Sequence, residues 1–178
     1  MKNIINKLGT PSSLCYFYII LLSTSMFINP DFRSTTILMT ITTTLVSVSI
    51  LWELKKQINL KLNIHQLDFF FIFFITIKII LSMGHILFPE FTRDTISHTS
   101  FNITMGTLQL IYSYLLIKVS DRKIKHLWLY GWLILTSSIF LILKTNMGVI
   151  YVMSIANTYI LSEAFYEFRD LSTRKLHN

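Results

Sequence analysis

A lysine stands in the middle of an apolar stretch. Lys78 is the twelfth residue of Leu67–Phe88, LDFFFIFFITIKIILSMGHILF. At ~1.5 Å rise per residue that run is long enough to cross a bilayer. A charge at such depth is costly and marks a candidate functional site. Ser82 and His85 follow at i+4 and i+7, so the three share one helical face. Two kinds of chemistry fit. Lys78 can hold the carboxylate or phosphate of a ligand. It can instead be satisfied within the protein, by Glu163 or by the amides of Gln109 and Asn157.

The other apolar runs carry polar residues at similar depth. Gln109 is the eleventh residue of Thr99–Val119 and Asn157 the eleventh of Met147–Phe168. Thr136 is the tenth of Leu127–Leu143, and Thr43 and Thr44 are the ninth and tenth of Thr35–Leu54. These depths agree within about one helical turn, ~5 Å. A midplane polar layer is where membrane binding proteins place ligands; it is also how membrane helices specify their packing. Thr36, Thr40, Thr43 and Ser47 form a hydroxyl face at 4-3-4 spacing. Its first reading is a packing stripe, and its alternative is a ligand-lining wall.

His85, Glu90, Asp94 and His98 cluster near one boundary. Histidines and carboxylates are metal ligands, but their spacing matches no known metal pattern, so neither a metal nor a cofactor is expected. The same four residues fit a proton-sensitive mouth. No GxSxG, HExxH or glycine-rich phosphate loop occurs, and no catalytic residue is assigned. Cys15 and His85 lie toward opposite ends of their runs, which separates them as a nucleophile and base pair.

The elements that position these residues are apolar runs. Of 178 residues, 52% are hydrophobic and 14% charged, where a soluble domain carries about a quarter charged. Six spans are expected, at about 14–28, 35–54, 67–88, 99–119, 127–143 and 147–168, in a single polytopic domain covering 1–178. Glu53–Gln66 reads as a basic loop in which Ile58, Leu60, Leu62 and Ile64 alternate with polar residues, either a period-2 segment or an interfacial one. The net charge of +7 would suggest nucleic acid in a soluble protein. Here the basic residues sit between apolar runs, so no nucleic acid is expected, and the charge reads as orientation and contact with anionic lipid. Lys2, Lys7, Lys55, Lys56, Lys61, Lys118, Arg122, Lys123, Lys125, Arg169, Arg174 and Lys175 lie on one side, and Arg33, Arg93 and Lys144 on the other. The positive-inside rule then places both termini in the cytoplasm.

Size, six spans and cytoplasmic termini are similar in architecture to the substrate-binding subunits of energy-coupling-factor vitamin transporters. The small-residue contact motif of their first helix is absent, the only alanines here being Ala156 and Ala164. The sequence therefore leads to an all-α six-span bundle in the cytoplasmic membrane of a bacterium. Its expected function is binding or transport of a small polar or anionic solute, with Lys78, Gln109, Asn157, Ser82 and His85 as ligand-binding residues. The rival is a non-transporting sensor, immunity or accessory module, with a second membrane protein as partner and the polar layer as packing. A membrane-embedded enzyme is third.

Overall fold

The computed structural model describes residues 10–25, 27, 33–87, 95–120, 124–143 and 147–174. These residues form six helices: α1 Pro11–Ser25, α2 Arg33–Leu62, α3 Asp68–Leu87, α4 Thr95–Ser120, α5 Lys125–Ile142 and α6 Met147–Arg174. Among the described residues every regular element is helical. Three are long and apolar enough to cross a membrane: α2, α5 and the Gly148–Leu171 stretch of α6.

Local sequence explains the helix ends. Thr10 precedes Pro11, and its hydroxyl accepts from the Ser13 backbone N–H at 3.4 Å, a side-chain cap with proline at the first helical position. The start of α5 has no cap of its own: Glu167 of α6 reaches across, its Oε2 accepting the His126 backbone N–H at 2.8 Å while its Oε1 lies 2.9 Å from His126 Nδ1. A carboxylate there also meets the positive end of the helix dipole.

One expectation needs correction. Glu53–Leu62 is neither a strand nor a loop, because α2 runs unbroken for 30 residues, about 45 Å. The alternation of Ile58, Leu60 and Leu62 hid a stronger pattern. Ile50, Leu54 and Ile58 are buried at a stride of four while Leu60 is exposed, so one apolar stripe continues past the expected loop boundary. The helix stops at Asn63, whose φ of 54° is left-handed, a conformation asparagine tolerates. Asp68 then ties the turn together, accepting from Asn59 Nδ2 at 2.8 Å with Lys55 Nζ at 3.8 Å.

Neighbours in the bundle follow the order α4, α5, α6, α1, α2, α3. Tyr112 of α4 stacks edge-on against Phe71 and Phe74 of α3. The hydrophobic core sits at one end: Cys15 opens α1, Leu54 and Ile58 close α2, Leu67 and Phe71 begin α3, Leu116 ends α4, Leu127 begins α5, and Ala164 and Phe168 lie late in α6. Antiparallel connections bring all of these to the end that carries the basic segments.

The closest helix pair is α4 against α5. Gly106 faces Ser138 and Ile142, and Gly131 faces Ile117 and Ser113. A Cβ at Gly131 would stand 2.7 Å from Ile117 Cγ1. The two small residues on each helix are seven apart, and each glycine leaves the gap into which an isoleucine of the other helix packs, Ile142 at Gly106 and Ile117 at Gly131. Away from these contacts every helix exposes large apolar side chains. Ile20, Leu38, Ile80, Ile103, Ile139 and Val152 are examples, with Leu38 at 64%. Exposed apolar area this extensive is unusual in a water-soluble monomer.

Candidate ligand-binding cavity

A cavity of about 320 Å³ opens between α1, α2 and α6. Its wall includes Tyr18, Ser25, Thr36, Thr40, Thr43 and Tyr151. Thr36 to Thr43 belong to the first half of α2, Ser25 ends α1 and Tyr151 lies in the second turn of α6. All three places are at the end of the bundle away from the core. The hydroxyl face of α2, read first as packing, thus lines open space, except that Ser47 is buried.

Counting protons defines what the wall offers. Thr40 donates to the Thr36 carbonyl at 2.9 Å and Thr43 to the Met39 carbonyl at 2.7 Å. A hydroxyl has one proton and two lone pairs, so Thr40 and Thr43 present acceptors to the cavity. Ser25 donates to the Leu22 carbonyl at 2.7 Å. Its 3.3 Å contact with Tyr151 is therefore donated by the tyrosine. Tyr18 differs: its hydroxyl accepts from Lys78 Nζ at 3.4 Å, leaving its own proton to donate. Lys78 Nζ also lies 5.5 Å from the centre of the Tyr18 ring. Thr40, Thr43 and Tyr151 thus offer acceptors and Tyr18 a donor, and Lys78 stands behind that donor.

Ser82, on the Lys78 face, bonds the Thr44 hydroxyl. The Thr44 proton is committed to the Thr40 carbonyl at 2.7 Å, so Ser82 is the donor, and this pair joins α3 to α2 one turn from Lys78. Gln109 and Asn157 lie elsewhere. Gln109 Oε1 lies 3.5 Å from Ser138 Oγ between α4 and α5, while the Ser138 proton goes to the Ile134 carbonyl at 2.6 Å. Asn157 Nδ2 donates to Ser137 at 2.9 Å between α5 and α6, and its Oδ1 is buried without a partner. The midplane layer is therefore divided into a Lys78–Tyr18 and Ser82–Thr44 part and a Gln109–Ser138 and Asn157–Ser137 part. Among the described residues Lys78 forms no ion pair with Glu163 or any other carboxylate. The His85 and His98 side chains, Glu90 and Asp94 lie outside what the structure describes.

Sequence reasoning missed Tyr18 and Tyr151. The signal was present: a tyrosine well inside an apolar run carries a polar tip that needs a partner. Cys15 is buried in the core at the basic end. No protein-family model, curated protein or solved structure matches this chain.

Proposed function

We propose that the protein spans the membrane six times, with both termini cytoplasmic, and binds a small polar or anionic solute in the cavity lined by α1, α2 and α6. The observation that carries this reading is a hydroxyl-lined cavity at the end of the bundle opposite a closed apolar core. The charge bias supports the orientation, and with it the core closes the cytoplasmic side while the cavity faces outward. α3 and α4, at 20 and 26 residues, are about 30 and 39 Å long, enough to cross the hydrocarbon layer. α1, at 15 residues, spans about 22 Å by itself. The expected setting is the cytoplasmic membrane of a bacterium.

The proton count narrows the solute class. The acceptors of Thr40, Thr43 and Tyr151 suit O–H or N–H donors, and the Tyr18 hydroxyl backed by Lys78 suits a carboxylate. A small hydroxy acid or amino acid has both. In this reading Lys78 and Ser82 belong to the site, while Gln109 faces α5 and Asn157 ties α6 to α5. The Asn157–Ser137 bond between α5 and α6 favours the second reading, a non-transporting module whose polar layer is packing.

The test is a thermal-shift scan of the purified protein against small hydroxy acids, amino acids and their uncharged esters. A true ligand at a hundred times its Kd stabilises by about 2.7 kcal/mol. The shift should vanish in Thr40→Val Thr43→Val, which keeps side-chain shape. A shift from no candidate, in a wild-type protein whose folding is intact, would reject the solute reading in favour of the packing one.

A further inference from the structure

The cavity between α1, α2 and α6 changes character along its length. Its α1 wall is Tyr18, Leu22 and Ser25, at i, i+4 and i+7 on one face, and its α2 wall includes Met39. Tyr18 lies at the end nearer the core, one turn from Cys15, and Ser25 closes α1 at the end away from it. At the Ser25 end two oxygens accept. The Ser25 proton goes to the Leu22 carbonyl at 2.7 Å, and the Tyr151 proton goes to Ser25 across 3.3 Å, so each oxygen is left with lone pairs. At the other end the Tyr18 hydroxyl donates, with the Lys78 ammonium 3.4 Å from its oxygen. Leu22 and Met39 supply apolar surface to the wall between them. The rise from Tyr18 to Ser25 along α1 is about 10 Å. No carboxylate belongs to the wall.

We propose that this cavity selects carboxylic acids whose hydroxyl or ammonium group stands at the far end of a short methylene chain. The proposal rests on the solute reading of the same cavity and sets the spacing of the solute's two polar groups. A hydrogen bond of about 2.8 Å at each end leaves about 5 Å for the ligand. An extended chain advances about 1.2 Å per bond, so about four bonds fill that length: a carboxyl carbon, three methylenes and a terminal oxygen or nitrogen. A 2-hydroxy or 2-amino acid separates the same groups by two bonds, about 2.4 Å, and reaches one end only. The carboxylate accepts the Tyr18 proton with the Lys78 charge behind it. The methylenes pass Leu22 and Met39, and the terminal group donates to Tyr151 and Ser25.

The experiment compares four-carbon acids on the full chain in detergent, with affinities read from ligand-dependent unfolding temperatures. The probes are butyrate, 4-hydroxybutyrate, 4-aminobutyrate, 2-hydroxybutyrate, 2-aminobutyrate and succinate. Wild type should bind 4-hydroxybutyrate or 4-aminobutyrate about tenfold more tightly than butyrate and the 2-substituted acids, the factor one added hydrogen bond gives. Whichever of the two is tighter identifies the terminal group as alcohol or ammonium. Ser25→Ala Tyr151→Phe deletes both outer oxygens and should bring that preference down to about one. Ser25→Ala alone returns the Tyr151 proton to the cavity. It should bind succinate, whose second carboxylate needs a donor, about tenfold more tightly than wild type does. This gain reports on the proton direction even where the double variant folds poorly. Binding of the 2-substituted acids as tight as that of the 4-substituted ones in wild type overturns the spacing while the solute reading stands. An undiminished preference in the folded double variant, or no gain for succinate in folded Ser25→Ala, overturns the outer contact. Binding of none of these acids by folded wild type, together with a blank scan of the other candidate solutes, rejects the solute reading itself and this proposal with it.

Discussion

Lys78 and Tyr18 permit a test whose outcome follows from three magnitudes. A lysine at mid-membrane depth costs about 3 kcal/mol by insertion measurements. The Tyr18 hydroxyl returns part of this through a contact of 3.4 Å, long for a hydrogen bond and so contributing no more than about 1 kcal/mol. The ring face, 5.5 Å away, contributes about 1 kcal/mol more to an ammonium. The balance is unfavourable by about 1 kcal/mol. Lys78→Met should therefore raise stability by that amount, seen as about 2–4 °C in the unfolding temperature of a chain this size. Tyr18→Phe keeps the ring but strands the amine, and should cost about 1 kcal/mol. In the Lys78→Met background the same change removes a hydroxyl with no lysine to serve, and its cost should fall to zero. The cycle thus predicts a coupling of about 1 kcal/mol, read from thermal unfolding of the four proteins in one detergent. An identical Tyr18→Phe cost in both backgrounds would refute the pairing. A Lys78→Met protein destabilised by more than about 2 kcal/mol would refute the balance, since it would require a structural partner for Lys78 stronger than Tyr18.

Two further outcomes are expected. Gly131→Leu should lower stability by about 1–3 kcal/mol, since its Cβ would meet Ile117 at 2.7 Å and force α4 from α5, whereas Gly84→Leu, with open space around it, should be tolerated; equal tolerance of both in a thermal melt would dissolve the close α4–α5 contact. A reporter fused after Asn178 should score cytoplasmic, and an external score would reverse the proposed orientation and place the hydroxyl cavity inside.

The order and position of the helices were legible because apolar runs and basic segments alternate along the chain. Their ends were harder to see. α2 and α6 extend past the expected boundaries to Leu62 and Arg174, because a stripe such as Ile50, Leu54 and Ile58 continues into charged sequence. A window that counts apolar residues stops there, while a helix with one buried face does not. The α4–α5 contact was hidden for another reason. Gly106, Ser113, Gly131 and Ser138 are unremarkable singly, and only the antiparallel pairing makes each a neighbour of the other helix's gap. The midplane layer was visible as a depth, not as a location. Depth follows from counting along each run, but which residues meet depends on how six helices are ordered around a ring. Gln109 and Asn157 share the depth of Lys78 and yet face α5.

The threonines of α2 show how one composition serves two ends. A threonine inside a membrane helix satisfies its donor on its own backbone, as Thr40, Thr42, Thr43 and Thr44 all do. That bond removes the obstacle to burial in lipid, which is why a hydroxyl-rich run still forms an apolar-enough helix. It also fixes the polarity of what remains, because the leftover lone pairs accept and cannot donate. A cavity walled by such residues cannot bind an anion through them. In the proposed reading the task passes to Tyr18 and Lys78, the donor pair that α1 and α3 bring together beside the wall. Packing alone gives no reason to place a lysine behind a cavity tyrosine whose proton is uncommitted. A carboxylate entering between acceptors that take its hydroxyl or ammonium protons does give one, and it accounts for a side chain expected to lower the stability of the bundle by about 1 kcal/mol where it stands.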